Sequence, residues 1–437
     1  MTSLRADAAS FRISASSAVM IPLRTPFLKT LGKPGPFRAS DLAVAAGRTL
    51  LLRQPFNPHV LDEVILGCVG PGPDEANIAR IVSLRLGCGK RVPAWTVQRN
   101  CASGMQAIDA AAANVSGGRS DLVLAGGAEA MSHAPVYLNN AMVGNLSEWS
   151  RARSVWKRLS LLVKLRPAHF RPVIGLLHGL TDPITGLSMG QTAEILADRF
   201  RISRESMDAY AVGSHRRLAL AQDEGRLPEI VALYKKDGTY LDHDEGLRRN
   251  TNTKDLGRLK PVFDRPFGLL TAGNSAQITD GAAWMILASE NAVERFHLPV
   301  AGRIIDCTWV GVEPENMGLG PVHAMSRVLK QHDLNVEDID FWEINEAFAA
   351  QVLACLAAWT NPEYCKRELG MDDPWRAIDP DRLNVDGGAL AVGHPVGASG
   401  VRIVLHLLSV LNRYRAKRGI ASLCIGGGQG GAMLIER

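Results

Sequence analysis

The same order of elements occurs twice in this chain, and this repeat limits the architectures that the chain can adopt. An Ala-Ser-Gly motif at 102–104 precedes an apolar pattern with helical spacing, and a strand-like run follows at 121–131. A second Ala-Ser-Gly motif at 398–400 precedes another apolar helix, and a strand-like run follows at 420–425. Both helices are apolar on more than one face, as is typical of helices buried between layers. The sequence therefore predicts an α/β layered fold of two related βαβ halves, with mixed sheets and buried central helices.

The region between the two halves has a different character. Residues 132–270 are richer in charged and turn-forming residues and show no sheet-like regularity. The apolar run at 282–289 then indicates a return to the core. We therefore predict four parts: an N-terminal half (1–131), an inserted loop domain over the core (132–270), a return to the N-terminal half (271–295) and a C-terminal half (296–437).

Composition narrows the class of protein. With 437 residues, of which 46% are apolar and 21% charged, the chain has the profile of a soluble globular protein of about three domains. No run reaches the roughly 18 apolar residues that a membrane-spanning helix needs. Residues 1–18 lack the apolar core of a secretory signal, but their Arg, Ser and Ala content, with Asp7 as the single acid, resembles a transit peptide. We expect a cytoplasmic protein, either free or on a membrane surface, with an organellar matrix as the open alternative.

The seven cysteines indicate free thiols. Their number is odd and no two of them form a Cys-x-x-Cys pair, so neither a disulfide framework nor a zinc site is expected. Cys101 directly precedes the first helix, where the positive end of the helix dipole favours the thiolate. His394 lies in the glycine-rich block before the second helix, so the two side chains could form a nucleophile–base pair.

Two further residues stand at positions suited to chemistry. Cys424 leads into the glycines at 426–428, whose backbone N–H groups could form an oxyanion hole or cradle a phosphate. Asn345 follows a strand-like run and precedes an apolar helix, so it is either a helix N-cap or a group that orients a water. The alternative for each cysteine is a small packing residue, and for His394 a satisfied polar group. Two thiols and a histidine beside glycine-rich turns together suggest acyl transfer through a thioester.

Seven blocks of the sequence resemble the signature blocks of the thiolase family, in the family's order and over essentially the whole chain. They are NCASGMQAI (100–108), LAGGAEAMS (124–132), SMGQTAE (188–194), LTAGNSAQITDGAA (270–283), NEAFAAQ (345–351), GGALAVGHPVGASG (387–400) and CIGGGQGGAM (424–433). The middle region is most similar to the thiolase subunit of trifunctional β-oxidation complexes. Those subunits often carry a histidine where this chain has Asn345, which matches the wider family instead. Short-chain biosynthetic members usually have a histidine where this chain has Ser188, which argues against a dedicated acetoacetyl-CoA enzyme. The resemblance implies the thiolase fold, which agrees with the layered α/β fold of two related halves predicted above.

The resemblance also implies roles for the candidate residues. Cys101 would attack the keto carbonyl of a 3-ketoacyl-CoA, His394 would take the thiol proton, and Cys424 would protonate the departing acetyl-CoA carbanion. One oxyanion hole would be formed by His394 with a water held by Asn345. The other would be formed by the backbone N–H groups of Cys101 and Gly426.

For the substrate, the resemblance implies that Met189 and Met317 line the acyl site and that Ser275 contacts the pantetheine in place of a serine that the family has near 276. Coenzyme A would be the co-substrate, with no metal or redox cofactor. The implied reaction is thiolytic cleavage of 3-ketoacyl-CoA to acetyl-CoA and a shortened acyl-CoA, in fatty-acid β-oxidation, by a homodimer or tetramer. The alternatives are a biosynthetic acetoacetyl-CoA thiolase, a catalytically silent CoA-binding subunit and a ketoacyl synthase, which lacks the second cysteine.

A basic segment at 151–171 needs its own explanation. It holds seven Arg and Lys and no acid, whereas the whole chain carries a net charge of only +5, so nucleic acid is not an expected partner. Apolar residues, including Trp156, alternate with the cations and predict an amphipathic helix with a cationic face. Three interpretations remain: the segment docks a partner such as a hydratase–dehydrogenase subunit, lies on an anionic membrane, or covers the acyl tunnel and binds CoA phosphates.

Overall fold

The computed structural model describes residues 17–20 and 22–437, so most of the transit-like stretch at 1–18 lies outside the described residues. The strands are β1 (Ser17–Met20), β2 (Leu23–Arg24), β3 (Leu28–Lys29), β4 (Glu63–Gly67), β5 (Ala94–Val97), β6 (Leu122–Ala130), β7 (Val136–Leu138), β8 (Pro172–Ile174), β9 (Leu233–Tyr234), β10 (Tyr240–Leu241), β11 (Thr279–Ala288), β12 (Val300–Gly311), β13 (Phe341–Ile344), β14 (Arg418–Ile425) and β15 (Gln429–Glu436).

The helices alternate with these strands for most of the chain. They are α1 (Ala39–Leu52), α2 (Ile78–Arg85), α3 (Ser103–Ser116), α4 (Asn140–Arg151), α5 (Val155–Val163), α6 (Gly175–Gly179), α7 (Met189–Arg199), α8 (Arg204–Asp223), α9 (Thr253–Leu256), α10 (Glu290–Phe296), α11 (Gly320–Gln331), α12 (Ala349–Trp359), α13 (Pro362–Leu369), α14 (Ala389–Val392) and α15 (Val396–Tyr414). Among the described helices, none is long and apolar enough to cross a membrane.

The sheet shows the predicted repeat in its strand order. In the N-terminal half the order is β5-β4-β6-β11-β1, and in the C-terminal half it is β13-β14-β15-β12. Each half contains a parallel pair, β4 with β6 in the N-terminal half and β13 with β14 in the C-terminal half. In each half the next pair toward the junction of the half-sheets, β6 with β11 and β14 with β15, is antiparallel. Leu383 forms a parallel bridge with Trp342 of β13, where β5 pairs with β4 in the other half. The two half-sheets join through the antiparallel pair β1–β12.

Strand β11 shows how the layers are stacked. All ten of its residues are buried, so both faces of the strand are covered. Trp284 and Ile286 pack with α1 and α2 in one apolar cluster. Met285 and Leu287 point the other way and pack with α3, α15 and residues of the C-terminal half-sheet. Helices α11 and α12 cover the outer face of the C-terminal half-sheet. Helices therefore cover the outer face of each half-sheet, and two more lie between the half-sheets.

The central helices α3 and α15 cross at the glycines of the two Ala-Ser-Gly motifs. A β-carbon on Gly104 would stand 2.7 Å from the carbonyl oxygen of Gly397, and one on Gly400 would stand 2.6 Å from the backbone nitrogen of Met105. Only glycine allows this approach, which explains why the motif occurs at both helix starts. Helix α3 begins at the serine of its motif, as predicted, whereas α15 already begins at Val396, before its motif.

The inserted region is mainly helical and differs from the expectation in one respect. It contains two short antiparallel ladders, β7 with β8 and β9 with β10, although no sheet-like regularity was expected there. These strands have two or three residues each, which is too short for an alternating apolar pattern to be visible in the sequence.

A buried charge network holds the inserted region against α15. His406 of α15 lies 3.0 Å from Glu229 and 3.2 Å from Asp386, and Asp386 also contacts Arg413 at 2.6 Å. Arg24 lies 3.8 Å from Glu229 at the other end of the network. Burial disfavours the charged imidazolium, but the hydrogen bonds of His406 to Asp386 and Glu229 outweigh it and raise its pKa to about 9.

We expect His406→Ala to lower the free energy of unfolding at pH 6.5 by about 3–5 kcal/mol, because it removes the cation that the two buried carboxylates Glu229 and Asp386 share and leaves each with arginine contacts only. The folded state holds the His406 proton up to about pH 9, whereas an unfolded histidine releases it near pH 6.5. The stabilisation is therefore complete below pH 6.5 and is lost as the pH rises to 9, so the difference between wild type and variant should shrink over that range.

Urea denaturation across this pH range measures the difference. The control is His332→Ala, which removes a partly exposed histidine that lies 2.8 Å from Asp306 and should cost less than about 1 kcal/mol. Equal losses for the two variants, or a His406 effect that does not depend on pH, would contradict the buried network.

Candidate active site

The turn between β5 and α3 presents Cys101. Asn100 has a left-handed backbone conformation with φ of 44°, which asparagine tolerates better than most residues. Its side-chain amide donates to the carbonyl oxygen of Gly426 at 2.7 Å, and its own carbonyl accepts from the Ser103 hydroxyl at 2.7 Å. The turn is thus fixed both to the first residue of α3 and to the glycine-rich turn after β14. Cys101 is thereby held, partly buried, directly before the helix.

The thiol of Cys101 is protonated at rest. Burial raises its pKa, while the backbone N–H groups of Gly426 and of Cys101 itself lower it and the carboxylate of Glu129 raises it. We expected the helix start to favour the thiolate, and this expectation was wrong for the balance of effects: desolvation outweighs the N–H donors. A nucleophilic Cys101 therefore needs a base. The two N–H groups beside its sulfur are those predicted to form an oxyanion hole.

A second thiol lies close to the first. Cys424 is near the end of β14 and is only 2% exposed. Burial raises its pKa well above the ordinary range, and the next largest cause is the charge that Cys101 would carry. Two buried thiols in electrostatic contact resist joint ionisation, so at most one of them is a thiolate at a time.

His394 is held as a neutral base. Its Nδ1 lies 2.6 Å from the hydroxyl of Ser399, which itself donates to the carbonyl oxygen of Pro395 at 3.1 Å. Because that hydroxyl hydrogen is used, we assign the ring proton to Nδ1 and the lone pair to Nε2, which is buried and has no hydrogen-bond partner among the described residues. Burial, and then the charge of Arg402, lower the pKa of His394 to about 4.

Asn345 has a buried amide without a protein partner. Both side-chain atoms lack a hydrogen bond within the part of the chain that the structure describes, and the residue is fully buried. The N-cap alternative is wrong, because α12 begins only at Ala349 and its N-cap position is Phe348. Burying an unpaired amide is costly, so this side chain is suited to hold a water or a polar ligand group.

Backbone hydrogen bonds bring the Asn345 loop and the His394 loop together. The chain at 275–277 lies between them: Ala276 N–H donates to Ala347 at 3.0 Å, and Gln277 accepts from His394 N–H at 3.0 Å. Ser275 is in this segment, and its buried hydroxyl has no partner in the described structure.

A cavity of about 280 Å³ opens beside Cys101. Its floor comprises Cys101, Gly426 and Glu129, and its roof comes from β7, β8 and α6 of the inserted region. The other lining residues are Val69, Gly70, Asn100, Ala130, Met131, Ala134, Pro135, Tyr137, Val173, Gly175, Leu176, His178, Gly179, Leu180, Met189 and Val396. Of the two methionines predicted to line the acyl site, Met189 lines this cavity, whereas Met317 lies outside its lining, in the apolar core that also contains Cys424.

Comparison with known proteins now decides the family. The family model described as "Thiolase, N-terminal domain" matches residues 17–291, and the one described as "Thiolase, C-terminal domain" matches residues 298–437. The chain belongs to the thiolase family. The family and the layered fold predicted from the sequence are thus confirmed, and the protein is an acyl-CoA acyltransferase that uses CoA as a substrate.

Three relatives illustrate the likeness. The β-ketoadipyl-CoA thiolase of Pseudomonas aeruginosa is 38% identical, over 95% of this chain and 97% of its own length. The 3-ketoacyl-CoA thiolase of Colwellia psychrerythraea is 34% identical, over 96% of each chain. The crystal structure of human mitochondrial 3-ketoacyl-CoA thiolase in complex with CoA superposes with a TM-score of 0.82 at 36% identity, covering 97% of this chain and 98% of that chain.

Two glutamates of this thiolase were missed by the sequence reasoning. Glu129 accepts N–H bonds of 2.9–3.0 Å from Val69, Gly70 and Gly397, and burial raises its pKa to about 7 despite these donors. Glu346, next to Asn345, accepts from Ser214 at 2.7 Å, Asn384 at 2.9 Å and two further donors, Tyr210 and Leu390. For Glu129 the available signal was a single acid inside an apolar, glycine-rich run, and for Glu346 it was an acid at the start of the apolar run 347–359, because an acid is buried in such a run only when donors surround it.

We expect iodoacetamide to alkylate Cys101 of this thiolase, but not the buried Cys424. The rate should keep rising with pH past 9, because burial raises the pKa of the Cys101 thiol above its ordinary value of 9.0. Peptide mapping by mass spectrometry at several pH values measures both sites, and Cys101→Ser is the control that should show no adduct there. A rate that levels off below pH 8 would show that the thiolate is stabilised rather than suppressed.

Proposed function

We propose that this protein cleaves a 3-ketoacyl-CoA with CoA, giving acetyl-CoA and an acyl-CoA shortened by two carbons, through an acyl-Cys101 intermediate. The observation that carries the proposal is a set of three groups. The Cys101 thiol lines the cavity and has two N–H donors, the Cys424 thiol is in electrostatic contact with it, and the neutral His394 imidazole has an unpartnered Nε2; Cys424 and His394 lie outside the cavity lining. Carbon–carbon cleavage beside a thioester needs a nucleophile, a proton donor for the carbanion and donors for the oxyanion, and these groups supply all three.

In the first half-reaction, Cys101 Sγ adds to the C3 carbonyl while His394 Nε2 takes the thiol proton. The C2–C3 bond then breaks, and its electron pair on C2 takes the proton of Cys424, so that acetyl-CoA leaves. The N–H groups of Cys101 and Gly426 receive the oxyanion of the adduct. The enolate oxygen of acetyl-CoA is received by His394 and by a water on the amide of Asn345.

In the second half-reaction, the thiol of an incoming CoA gives its proton to the Cys424 thiolate and attacks the acyl carbon. The bond between that carbon and Cys101 breaks, and the Cys101 sulfur takes back the proton that His394 had held. Both cysteines and the histidine end in their starting protonation states. The raised pKa of both thiols and the lowered pKa of His394 support a resting site of three neutral groups.

We further propose that the acyl group is an uncharged hydrocarbon chain and that the reaction belongs to fatty-acid β-oxidation. The part of the cavity roofed by Val173, Leu176 and Leu180 is apolar, and no Lys or Arg lines the cavity. Glu129 in its floor is an acid and supplies no positive charge that a second carboxylate could pair with. A ketoadipyl group, as named for the Pseudomonas relative, ends in a carboxylate and would meet no cation there.

For the whole enzyme we propose a homodimer or tetramer in the cytoplasm. The edge strand β5 supports an assembly, since its outer side is unpaired in the described chain and Trp95 on it is exposed.

A substrate panel tests the function directly, with the rate of CoA-dependent cleavage measured for each thioester. The panel comprises acetoacetyl-CoA, 3-ketooctanoyl-CoA, 3-ketododecanoyl-CoA and 3-ketoadipyl-CoA. We expect CoA-dependent cleavage of all but the last at useful rates, and an acyl adduct on Cys101 in intact-mass spectra when substrate is added without CoA. Cys101→Ala should lower kcat by at least about a thousandfold, and Cys424→Ala by about 10²–10⁴.

The outcomes separate the alternatives. Cleavage confined to acetoacetyl-CoA would favour a biosynthetic thiolase. Full condensing activity in Cys424→Ala would favour a decarboxylating synthase. Absence of turnover and of adduct with every substrate would leave a silent CoA-binding subunit.

Leu176→Arg tests the acyl specificity. An arginine in the cavity roof should lower kcat/KM for 3-ketododecanoyl-CoA and raise it for 3-ketoadipyl-CoA, with a combined change in preference of at least about tenfold. The matched control is Leu177→Arg, because Leu177 is the next residue and its side chain is exposed. If wild type already prefers the ketoadipyl substrate, the apolar assignment is wrong, while the thiolase reaction stands.

A further inference from the structure

Exposed apolar side chains are concentrated on the inserted region. Of the 29 large apolar residues that are exposed in the described part of the chain, 14 lie between residues 136 and 184, which is about a ninth of the sequence. We call the surface formed by these side chains the loop face. It consists of Val136, Tyr137, Leu138, Val143, Leu146, Val155, Trp156, Leu159, Leu162, Val163, Phe170, Ile174, Leu177 and Ile184. Such a concentration marks an interaction surface rather than scattered exposure.

Helix α5 is the most exposed part of the loop face. Trp156 is 81% exposed and Val163 is 87% exposed, while Leu161 is the one buried residue of the helix. A helix that turns a tryptophan and several aliphatic residues outward loses most of the stabilisation that burial gives an amphipathic helix. We therefore expect that another surface covers this helix in the working enzyme.

The charges around the loop face are of one sign. The seven cations of the basic segment are all exposed: Arg151, Arg153, Lys157, Arg158, Lys164, Arg166 and Arg171. None of them forms an ion pair with a carboxylate within the described residues, and Glu148 is the single acid between 136 and 171. Two copies of this face placed against each other would repel, so the complementary surface is anionic.

The loop face and the active-site cavity share the same elements. On β7 and β8, Tyr137 and Val173 line the cavity, while Val136 and Ile174 beside them are exposed. An apolar layer only one strand pair thick thus separates the bound acyl chain from the outer surface.

We propose that the loop face binds an anionic lipid surface, with the apolar side chains of α5 at the level of the acyl chains and the cations of the basic segment against the headgroups. Tryptophan with Lys and Arg on one short helix is the composition of helices that lie in the membrane interface. The lipid contact is independent of the chemistry, but its consequence, substrate entry from the membrane side, rests on the proposed function. A protein partner and a second copy of the chain are the competing occupants.

Co-sedimentation of the full-length protein with vesicles tests the proposal. We expect binding to phosphatidylcholine vesicles that contain phosphatidylglycerol, little binding to phosphatidylcholine alone, and loss of binding as salt is raised. Trp156 fluorescence should shift to shorter wavelength on binding, although the chain's other tryptophans require Trp156→Phe as the reference for that signal.

Matched variants identify the surface. Replacing three cations (Arg153→Gln, Lys157→Gln and Lys164→Gln) should weaken vesicle binding about a hundredfold, at roughly fivefold per cation. The control set is Arg53→Gln, Lys90→Gln and Arg91→Gln, which removes three exposed cations from the N-terminal half and should change binding little. Val163→Ser should weaken binding as well, whereas Leu52→Ser, with a side chain of similar exposure on α1, should not.

Thiolysis of acetoacetyl-CoA, measured without vesicles, keeps this proposal distinct from the proposed function. If the protein binds vesicles but does not catalyse thiolysis, the proposed reaction is wrong and the proposed lipid contact stands. An active enzyme that stays in the supernatant with every vesicle composition would overturn the proposed lipid contact. If the triple variant has a raised KM for CoA and the protein does not bind vesicles, the cations bind CoA phosphates and the proposal is wrong. If Val163→Ser dissociates an oligomer, the loop face is a contact between copies of the chain and the proposal is also wrong.

Discussion

The close contact between α3 and α15 governs the rest of the structure. The two helices approach through Gly104 and Gly400, where a β-carbon on either would overlap the backbone of the other helix. Since Cys101 directly precedes the N-cap of α3 and His394 directly precedes the N-cap of α15, this crossing fixes where the thiol and the imidazole can lie. The half-sheets then enclose the helix pair from both sides. The positions of these two side chains therefore depend on packing at two glycines, Gly104 and Gly400.

Desolvation is the second physical effect that shapes the site. It raises the pKa of both thiols, lowers that of His394 to about 4 and raises that of Glu129 to about 7. Each shift favours the neutral form of its group. A site made of neutral groups can hold an apolar acyl chain. When an oxyanion forms there, its stabilisation depends on N–H donors. The buried amide of Asn345, which has no partner among the described residues, is a further neutral group; in the proposed reaction it would hold the water that receives the enolate oxygen.

Much of this could be predicted from the sequence, for identifiable reasons. The repeat of helix and strand patterns predicted the paired halves because buried helices and strands leave long apolar runs. Glycine-rich flanks singled out Cys101, His394 and Cys424, and the structure places glycine backbone against each of these loops. Net pKa directions could not be predicted, since they depend on burial by residues that are distant in sequence. For the same reason Asn345 was compatible with an N-cap until the position of α12 was known, and the N–H donors around Glu129 come from two distant segments, the loop at 69–70 and the start of α15.

The position of β1 has a consequence for how the chain is made. This first strand lies inside the sheet, between β11 at 279–288 and β12 at 300–311, and pairs with both. On the ribosome it therefore emerges more than 250 residues ahead of either neighbour, with nothing to pair against. Strand β1 therefore stays unpaired until most of the polypeptide has been synthesised. During translation this short segment is therefore a site that a chaperone could bind until its neighbouring strands have been made.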